Sequence, residues 1–242
     1  MLWVIEISKI FEKKTENTNK TEKIYKNVRI ILRLHAKQDK IYCIQENNRG
    51  YIMEKIYETA YAKINLGLDV LGKRSDGYHE VRMVMQSVGL SDAVEIEEGE
   101  GLVVETDHSG LAGGPDNMAW KAAELLARCC GKIPNVHIRL NKKIFLAAGL
   151  AGGSSDAAAV MRGLSRLWQL DLTAPELEKL AAELGSDIPF CITGGTALAE
   201  GRGEILTELP EAPELLLVLA KPKLEVATGW VYGNFRQQKV NK

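Results

Sequence analysis

The 242-residue chain lacks the sequence features of disulfide-rich, zinc-binding, membrane-spanning and strongly charged proteins. It contains no C-x-x-C pair, and its cysteines show no metal-binding spacing, so a reducing cytoplasm is favoured over a disulfide scaffold or zinc site. No apolar run approaches the roughly 18 residues of a membrane-spanning helix, and the N-terminus with its early Glu6 is unlike a signal peptide. A net charge of −1 gives no argument for a nucleic-acid or membrane partner.

Residues 1–52 differ in composition from the rest of the chain. They carry eight Lys and three Arg against six acidic residues, a net charge of +5, whereas residues 53–242 carry 20 basic and 26 acidic residues, a net charge of −6. We predict a short strand over Val28–Leu34 and a helical or disordered segment over residues 11–27. The segment is interpreted as an appended extension with no catalytic role, and a basic interaction arm is the alternative.

The most informative stretch is Ile144 to Arg162, IFLAAGLAGGSSDAAAVMR. Its three glycines and two serines precede an alanine-rich pattern with helical spacing; they are Gly149, Gly152, Gly153, Ser154 and Ser155. A glycine-rich turn that leads into a helix presents free N–H groups, which favour an anion, most often phosphate. We expect Ser154 or Ser155 to be the N-cap residue. Neither G-x-x-x-x-G-K-[ST] nor G-x-G-x-x-G is present, so a tight loop that only packs against the helix is the alternative.

The segment GLAGGSSDAAA resembles the second motif of the GHMP kinases, a superfamily of small-molecule kinases. Two further stretches, at Ala60–Val81 and Leu184–Glu204, are similar to the 4-diphosphocytidyl-2-C-methyl-D-erythritol kinases within that superfamily. The likeness extends from about Met53 to Asn234, and SDGYHE is the part that separates this family from its relatives. The glycine segment departs from the family pattern, because Phe145-Leu146 occupies the place of its usual proline.

The resemblance implies roles for individual residues. Taken alone, Lys63 would be a solvated strand lysine and Asp187 a turn aspartate. By resemblance Lys63 lies beside the acceptor hydroxyl and Asp187 is the catalytic carboxylate. The implied ATP-binding residues are Ala148, Gly149, Leu150, Ala151, Gly152, Gly153, Ser154 and Ser155, with the Ser155 hydroxyl near Mg²⁺. The implied substrate-binding residues are Asn65, Tyr78, His79 and Tyr232, of which Lys63 and Asn65 share one face of a predicted strand.

The pattern of predicted elements indicates an α+β fold. We expect strands over Lys55–Leu71 and Val136–Ile144, the latter with His137 outward, and a turn at Leu90–Asp92. Helices are expected over Met118–Cys130, capped by Asp116-Asn117, and after Thr173, ending at Gly185. The resemblance implies a GHMP kinase N-terminal domain, like the second domain of ribosomal protein S5, over residues 53–220. Residues 221–242 would begin a C-terminal GHMP domain that is largely missing.

The implied function is ATP-dependent phosphorylation of the 2-hydroxyl of 4-diphosphocytidyl-2-C-methyl-D-erythritol, in non-mevalonate isoprenoid biosynthesis. Two alternatives stay open: a non-catalytic nucleotide- or cytidine-binding fragment, and a GHMP kinase that acts on another small alcohol. A cytidyl diphosphate sugar-alcohol would be the small-molecule partner. The protein is expected to be a cytoplasmic monomer or homodimer without nucleic-acid or membrane partners.

Overall fold

The computed structural model describes residues 3–6, 31–32, 41–46, 52–221, 231 and 234, with side chains from residue 55 onward. The strands are β1 Trp3–Glu6, β2 Ile31–Leu32, β3 Ile41–Glu46, β4 Ile52–Lys73, β5 His79–Glu98, β6 Leu102–Thr106, β7 Val136–Asn141, β8 Thr196–Glu200, β9 Ile205–Glu208 and β10 Leu217–Ala220. The helices are α1 Met118–Cys129, α2 Gly152–Leu167, α3 Ala174–Ala181 and α4 Ile188–Thr193. No helix in this part of the chain combines the length and apolar character needed to cross a membrane.

The main sheet has the strand order β3-β4-β5-β7-β6, and β8 and β9 continue from β5. Its pairs are antiparallel except for β6 with β7, which are parallel. The long antiparallel pair β4–β5 forms its centre, and the helices pack against this sheet. A second sheet pairs β10 with β1 and β2. The described strands of the basic N-terminal segment therefore add to both sheets, and its predicted helical or disordered part lies outside the described residues.

Alternation of side chains explains why the central strands form one wall of the core. In β7, Val136, Ile138 and Leu140 are buried, whereas His137 and Arg139 are only half-buried on the other face. Alanines of α1 and α2 pack against the buried face together with Leu126, Met161 and Leu164. Small side chains let these helices approach the sheet and each other closely. The predicted outward orientation of His137 is confirmed.

Strand β5 corrects one prediction. It runs without interruption from His79 to Glu98, so the turn expected at Leu90–Asp92 is wrong. Asp92 is 1% exposed, and its carboxylate accepts hydrogen bonds from the backbone N–H groups of Lys143 and Ile144. A residue that normally favours turns is therefore held in a strand by partners from another part of the chain.

Two helix starts follow the local sequence signals. Asn117 caps α1, because its side-chain oxygen accepts a hydrogen bond from the Ala119 N–H at 2.9 Å. Thr173 precedes α3, and its N–H and hydroxyl both donate to the Glu176 carboxylate. The predicted end of this helix at Gly185 is wrong, since α3 ends at Ala181.

Helix α2 departs from its predicted start. It begins at Gly152 after Ala151, whose backbone is left-handed with φ of 58° and ψ of 30°. Ser154 and Ser155 lie within the first turn and cap nothing, so the prediction that one of them is the N-cap residue is wrong. The reversal of the chain is made by the backbone at Ala151, which brings the helix start forward.

At Gly113, the loop that precedes α1 passes very close to the backbone of β6. A Cβ atom at this position would lie 1.8 Å from the carbonyl oxygen of Val104, whereas one at Gly114 would meet nothing within 4 Å. We expect Gly113→Ala to lower the free energy of unfolding by about 2 kcal/mol or more, because a backbone oxygen must move.

The matched variant Gly114→Ala should change that free energy by less than about 1 kcal/mol, since it meets no atom. Urea unfolding of both variants beside the parent chain measures the difference. Equal stabilities for the two variants would contradict this account of the close approach.

Candidate active site

The glycine segment forms a tight loop between β7 and α2. Ala147, Gly149 and Ala151 have positive φ angles of 50°, 72° and 58°, so the backbone reverses repeatedly before the helix begins. A Cβ atom at Gly152 would lie 3.1 Å from Cγ2 of Ile144, tighter than ordinary van der Waals contact. The first helical residue therefore packs closely against the strand side of the loop.

The start of α2 is open toward solvent. Gly153 is exposed and Ser154 is half-buried, whereas Ser155 is 1% exposed. The Ser155 N–H donates to the Ala151 carbonyl at 2.7 Å and begins the helical hydrogen-bond pattern. The N–H groups of the three preceding residues have no acceptor within an ideal helix, and they lie at the positive end of its dipole. This end of the helix can bind an anion.

The loop is attached to β4 where the pairing of β4 with β5 is irregular. The register shifts between Tyr61 and Lys63, and the Lys63 N–H donates to the Leu150 carbonyl at 3.1 Å. On the other side of the irregularity, the Ser155 hydroxyl lies 2.7 Å from the Tyr61 carbonyl. These contacts place the loop and the start of α2 directly beside Lys63.

Lys63 and Asp187 meet at this point. The Lys63 ammonium is 3.4 Å from Oδ1 of Asp187 and 3.3 Å from Oδ1 of Asn65. The Lys63 side chain is 6% exposed and the Asp187 side chain 34%, so solvent reaches the carboxylate more freely than the ammonium. The predicted shared face of Lys63 and Asn65 is confirmed. An ammonium held by two oxygens can neutralise a phosphate, and a reachable carboxylate can orient a hydroxyl or accept its proton.

The local sequence explains why Asp187 is available. It precedes α4, whose first turn contains Pro189, and its side chain makes no capping hydrogen bond to that helix. The carboxylate is therefore not used by the helix that it precedes and pairs with Lys63 instead.

The predicted substrate residues Tyr78 and His79 lie at the far end of the β4–β5 hairpin. His79 pairs with Lys73, ten strand positions beyond Lys63, which corresponds to at most about 33 Å along a straight strand. Further register shifts after Asn65 and after Val70 bend this ribbon. Tyr78 is 54% exposed, and the Arg202 guanidinium lies 4.8 Å from its ring centroid. Tyr232 lies outside the described residues.

A buried charge cluster supports the loop from behind. Lys142 bonds to both Asp92 and Asp156, and all three side chains are at most 2% exposed. Asp156 belongs to the first turns of α2, and its Oδ1 atom has no hydrogen-bond partner. Burial raises the pKa of Asp156 to about 7, the attraction of Lys142 opposes the rise, and the negative charge of Asp92 adds to it.

Cys191 in α4 is also adjacent to the loop. Its sulfur lies 3.5 Å from the Ser155 hydroxyl oxygen, and its burial raises the pKa of the thiol to about 12 although the whole residue keeps some exposed surface. The thiol is therefore a packing group between α2 and α4.

The Ser155 hydroxyl does not fit a direct metal ligand in this arrangement. It lies 2.7 Å from the Tyr61 carbonyl and 2.9 Å from the Ala151 carbonyl, and the residue is buried. Among the described residues, no group of three His, Cys, Asp or Glu side chains converges as a metal site either. The predicted Mg²⁺ contact of Ser155 stays a prediction, and the geometry lends it no support.

Comparison with known proteins identifies the class of this fold. The family profile described as GHMP kinases N terminal domain matches residues 117–195, which include α1, the glycine loop, α2 and Asp187. A crystal structure of 4-(cytidine 5'-diphospho)-2C-methyl-D-erythritol kinase superimposes with a TM-score of 0.60 at 35% identity, over 75% of this chain and 65% of the other. The described fold is that of a GHMP kinase N-terminal domain.

Proteins of similar sequence show which family of GHMP kinases the chain belongs to. A 4-diphosphocytidyl-2-C-methyl-D-erythritol kinase of Acetivibrio thermocellus is 48% identical over 190 residues, 78% of this chain and 67% of the relative. One from Synechococcus is 52% identical over 179 residues, 73% of this chain and 58% of the relative. The chain belongs to the family of 4-diphosphocytidyl-2-C-methyl-D-erythritol kinases. Its matches span about three-fifths to two-thirds of the length of these relatives.

Several residues of the site were not found from the sequence. Asp92 and Lys142 gave no signal, because their partners are distant in the chain. Arg202 follows a glycine in the segment EGRGE, and only its position over Tyr78 connects it with the predicted substrate residues. Arg162, which lies four residues after the buried Ala158 on α2, could have been noticed as a charge on an apolar helix face.

The raised pKa of Asp156 predicts a pH dependence of stability. The folded chain holds this proton between the ordinary carboxyl pKa near 3.8 and about 7, so raising the pH through this window lowers the free energy of unfolding. We expect Asp156→Asn to remove this contribution. Relative to the variant, the parent chain should lose roughly 1–3 kcal/mol between about pH 5 and about pH 7.

Urea unfolding at a series of pH values measures this difference. Asp171→Asn, at an exposed position, is the control and should follow the parent chain at every pH. Profiles of Asp156→Asn and the parent chain that run parallel would show that Asp156 is not protonated in the folded state over this range.

Proposed function

We propose that this chain catalyses ATP-dependent phosphorylation of the 2-hydroxyl of 4-diphosphocytidyl-2-C-methyl-D-erythritol, the substrate in the name of its relatives. The observation that carries the proposal is the Lys63–Asp187 pair at 3.4 Å, beside a loop that is hydrogen-bonded to Lys63 itself. A general anion-binding loop would not need a fixed ammonium and a solvent-reachable carboxylate at its edge. Phosphoryl transfer can use both, because its catalysis consists mainly of positioning and charge neutralisation.

The residues have separate tasks in this proposal. The free N–H groups at the start of α2 bind phosphate oxygens of ATP, and Ser154 is the more accessible of the two serine hydroxyls. Lys63 lies between the acceptor hydroxyl and the γ-phosphate and offsets the negative charge there. Asp187 orients the hydroxyl and accepts its proton as the new O–P bond forms. Asn65 limits the movement of the Lys63 ammonium.

The cytidyl part of the substrate is assigned to the far end of the hairpin. Tyr78 presents an exposed ring that can line a pocket for the base, with His79 next to it at the start of β5. Tyr232 is proposed for the same pocket from the sequence alone. Ala148 to Ser155 form the proposed nucleotide segment, within a proposed kinase domain over residues 53–220. The Mg²⁺ requirement, the cytoplasmic location and the monomeric or homodimeric state belong to the same proposal.

A steady-state assay of ADP release tests the proposal. The purified chain is given ATP and Mg²⁺ with and without the cytidyl substrate, beside Asp187→Asn, Lys63→Met and the control Asp171→Asn. We expect substrate-dependent release, with kcat lowered roughly 10²- to 10³-fold in Asp187→Asn and at least as much in Lys63→Met. Asp171→Asn should keep the parent rate, because its position is exposed and follows the C-terminal end of α2.

The other outcomes distinguish the alternative functions. Binding of nucleotide or cytidyl substrate without turnover would make the chain a binding fragment. Turnover with another small alcohol, but not with the cytidyl substrate, would make it a GHMP kinase of different specificity. Turnover that survives Asp187→Asn would contradict the assigned role of that carboxylate.

A further inference from the structure

Arg162 on α2 binds the strand that carries Lys63. Its guanidinium contacts Oε2 of Glu58 through both Nε and NH2 at 3.0 Å, and NH2 also donates to the Thr59 carbonyl at 3.0 Å. Glu58 and Thr59 lie in β4, and Thr59 is four residues before Lys63. The Arg162 side chain is 13% exposed, so these bonds are made largely away from water.

The remaining nitrogen of the same guanidinium binds the helix that follows Asp187. NH1 donates to the Cys191 carbonyl at 2.6 Å and to the Ile192 carbonyl at 3.3 Å, near the C-terminal end of α4. The last carbonyl groups of a helix have no N–H partner within the helix, and a cation near them interacts favourably with the negative end of the helix dipole. One side chain thus connects α2, β4 and α4.

The planarity of the guanidinium makes this connection directional. Its donors point along fixed directions in one plane, so the group defines where β4 and α4 lie relative to one another. A lysine at the same position would present one ammonium on a flexible chain and could not reach both sides in this geometry. A Cβ atom added at Gly163, the next residue, would lie 2.5 Å from the Cδ1 atom of Ile96. This part of α2 therefore packs tightly against the sheet.

We propose that Arg162 is a positioning residue that sets the separation of Lys63 and Asp187, by binding the strand of the first and the helix adjoining the second. The inference rests on the proposed function, because it concerns the same pair of side chains. Arg162 itself touches no reacting group; it acts on the pair through Thr59, Glu58 and the end of α4. Its loss lets α4 move away from β4, which lengthens the contact between the ammonium and the carboxylate.

A measurement independent of turnover reports on this contact. Competitive acetylation by acetic anhydride, read by mass spectrometry, gives the reactivity of Lys63 relative to exposed Lys132 in the native chain. The Lys63 side chain is 6% exposed and is held by the Asp187 carboxylate, so its release from that partner makes the amine more accessible to the reagent. Asp187→Asn supplies the reference for complete loss. We expect Arg162→Met and Arg162→Lys to raise the relative rate at Lys63 roughly threefold or more, toward that reference.

Arg166→Met is the matched control. Arg166 pairs with the same Glu58 from the next turn of α2, and its removal leaves the Arg162 bonds to α4 in place. It should lower thermal stability without changing the acetylation rate of Lys63. If Arg162→Met does not fold, Arg162→Lys, which keeps the charge but not the planar fork, decides the question. A rate at Lys63 that is unchanged in the folded Arg162 variants, or raised equally in Arg166→Met, would overturn the inference.

Kinetics separate this inference from the proposed function. With an active parent chain, we expect kcat to fall roughly tenfold or more in the Arg162 variants, with the KM for ATP nearly unchanged, since the hydrogen bonds of Arg162 go to β4 and α4 and not to the nucleotide loop. A variant that loses stability but keeps kcat per folded molecule would contradict a positioning role. If the parent chain shows no turnover, the proposed function fails for this chain, and the acetylation rates alone confirm or overturn the role of Arg162.

Discussion

The attachment of the glycine loop to β4 around Ala62 is the constraint on which the site depends. In an antiparallel strand only alternate residues give their backbone groups to one neighbour, and the described pairing of β4 with β3 ends at Tyr57, so the Tyr61 carbonyl and the Lys63 N–H can bind the loop. Here the Tyr61 carbonyl and the Lys63 N–H are turned to Ser155 and Leu150, which lie on either side of the start of α2. The glycine loop is therefore held by main-chain groups of the strand that carries Lys63. The position of the anion-binding helix end relative to the Lys63 ammonium is therefore fixed by hydrogen bonds to main-chain groups of β4 and does not depend on exposed side chains.

Two lysines lie near the loop, and their partners give them different roles: Lys142 is structural and Lys63 can contact a ligand. The Lys142 side chain is 1% exposed and is enclosed by the carboxyl groups of Asp92 and Asp156, so its charge is used to fix the loop against β5 and α2. Lys63 has one carboxylate partner that solvent can reach, together with one amide oxygen. An incoming phosphate can approach the second arrangement but not the first. The number and exposure of the partners, rather than the residue type, decide which lysine can contact a phosphate.

Local signals in the sequence were sufficient for the helix caps at Asn117 and Thr173 and for the alternation of β7, because each depends on residues within a few positions. They failed where a distant partner overrides local preference. The local sequence predicts a turn at Asp92, yet residues about fifty positions away hold it in a strand. Lys63 and Asp187 alone would have been assigned to the surface; motif resemblance singled them out, and the fold brings them within 3.4 Å. Arg162 could not be understood before its three elements were known, since its bonds join residues up to 104 positions apart.

The burial of the Cys191 sulfur has a consequence for the chemical durability of the site. Oxidants and alkylating agents attack the thiolate, and a thiol with a pKa of about 12 supplies almost none at neutral pH. Among the cysteines whose side chains the structure describes, Cys129 at the C-terminal end of α1 is the exposed one, and such reagents reach it more readily than Cys191. The sulfur next to Ser155 is consequently insulated from the redox state of its surroundings for as long as α2 and α4 remain packed together.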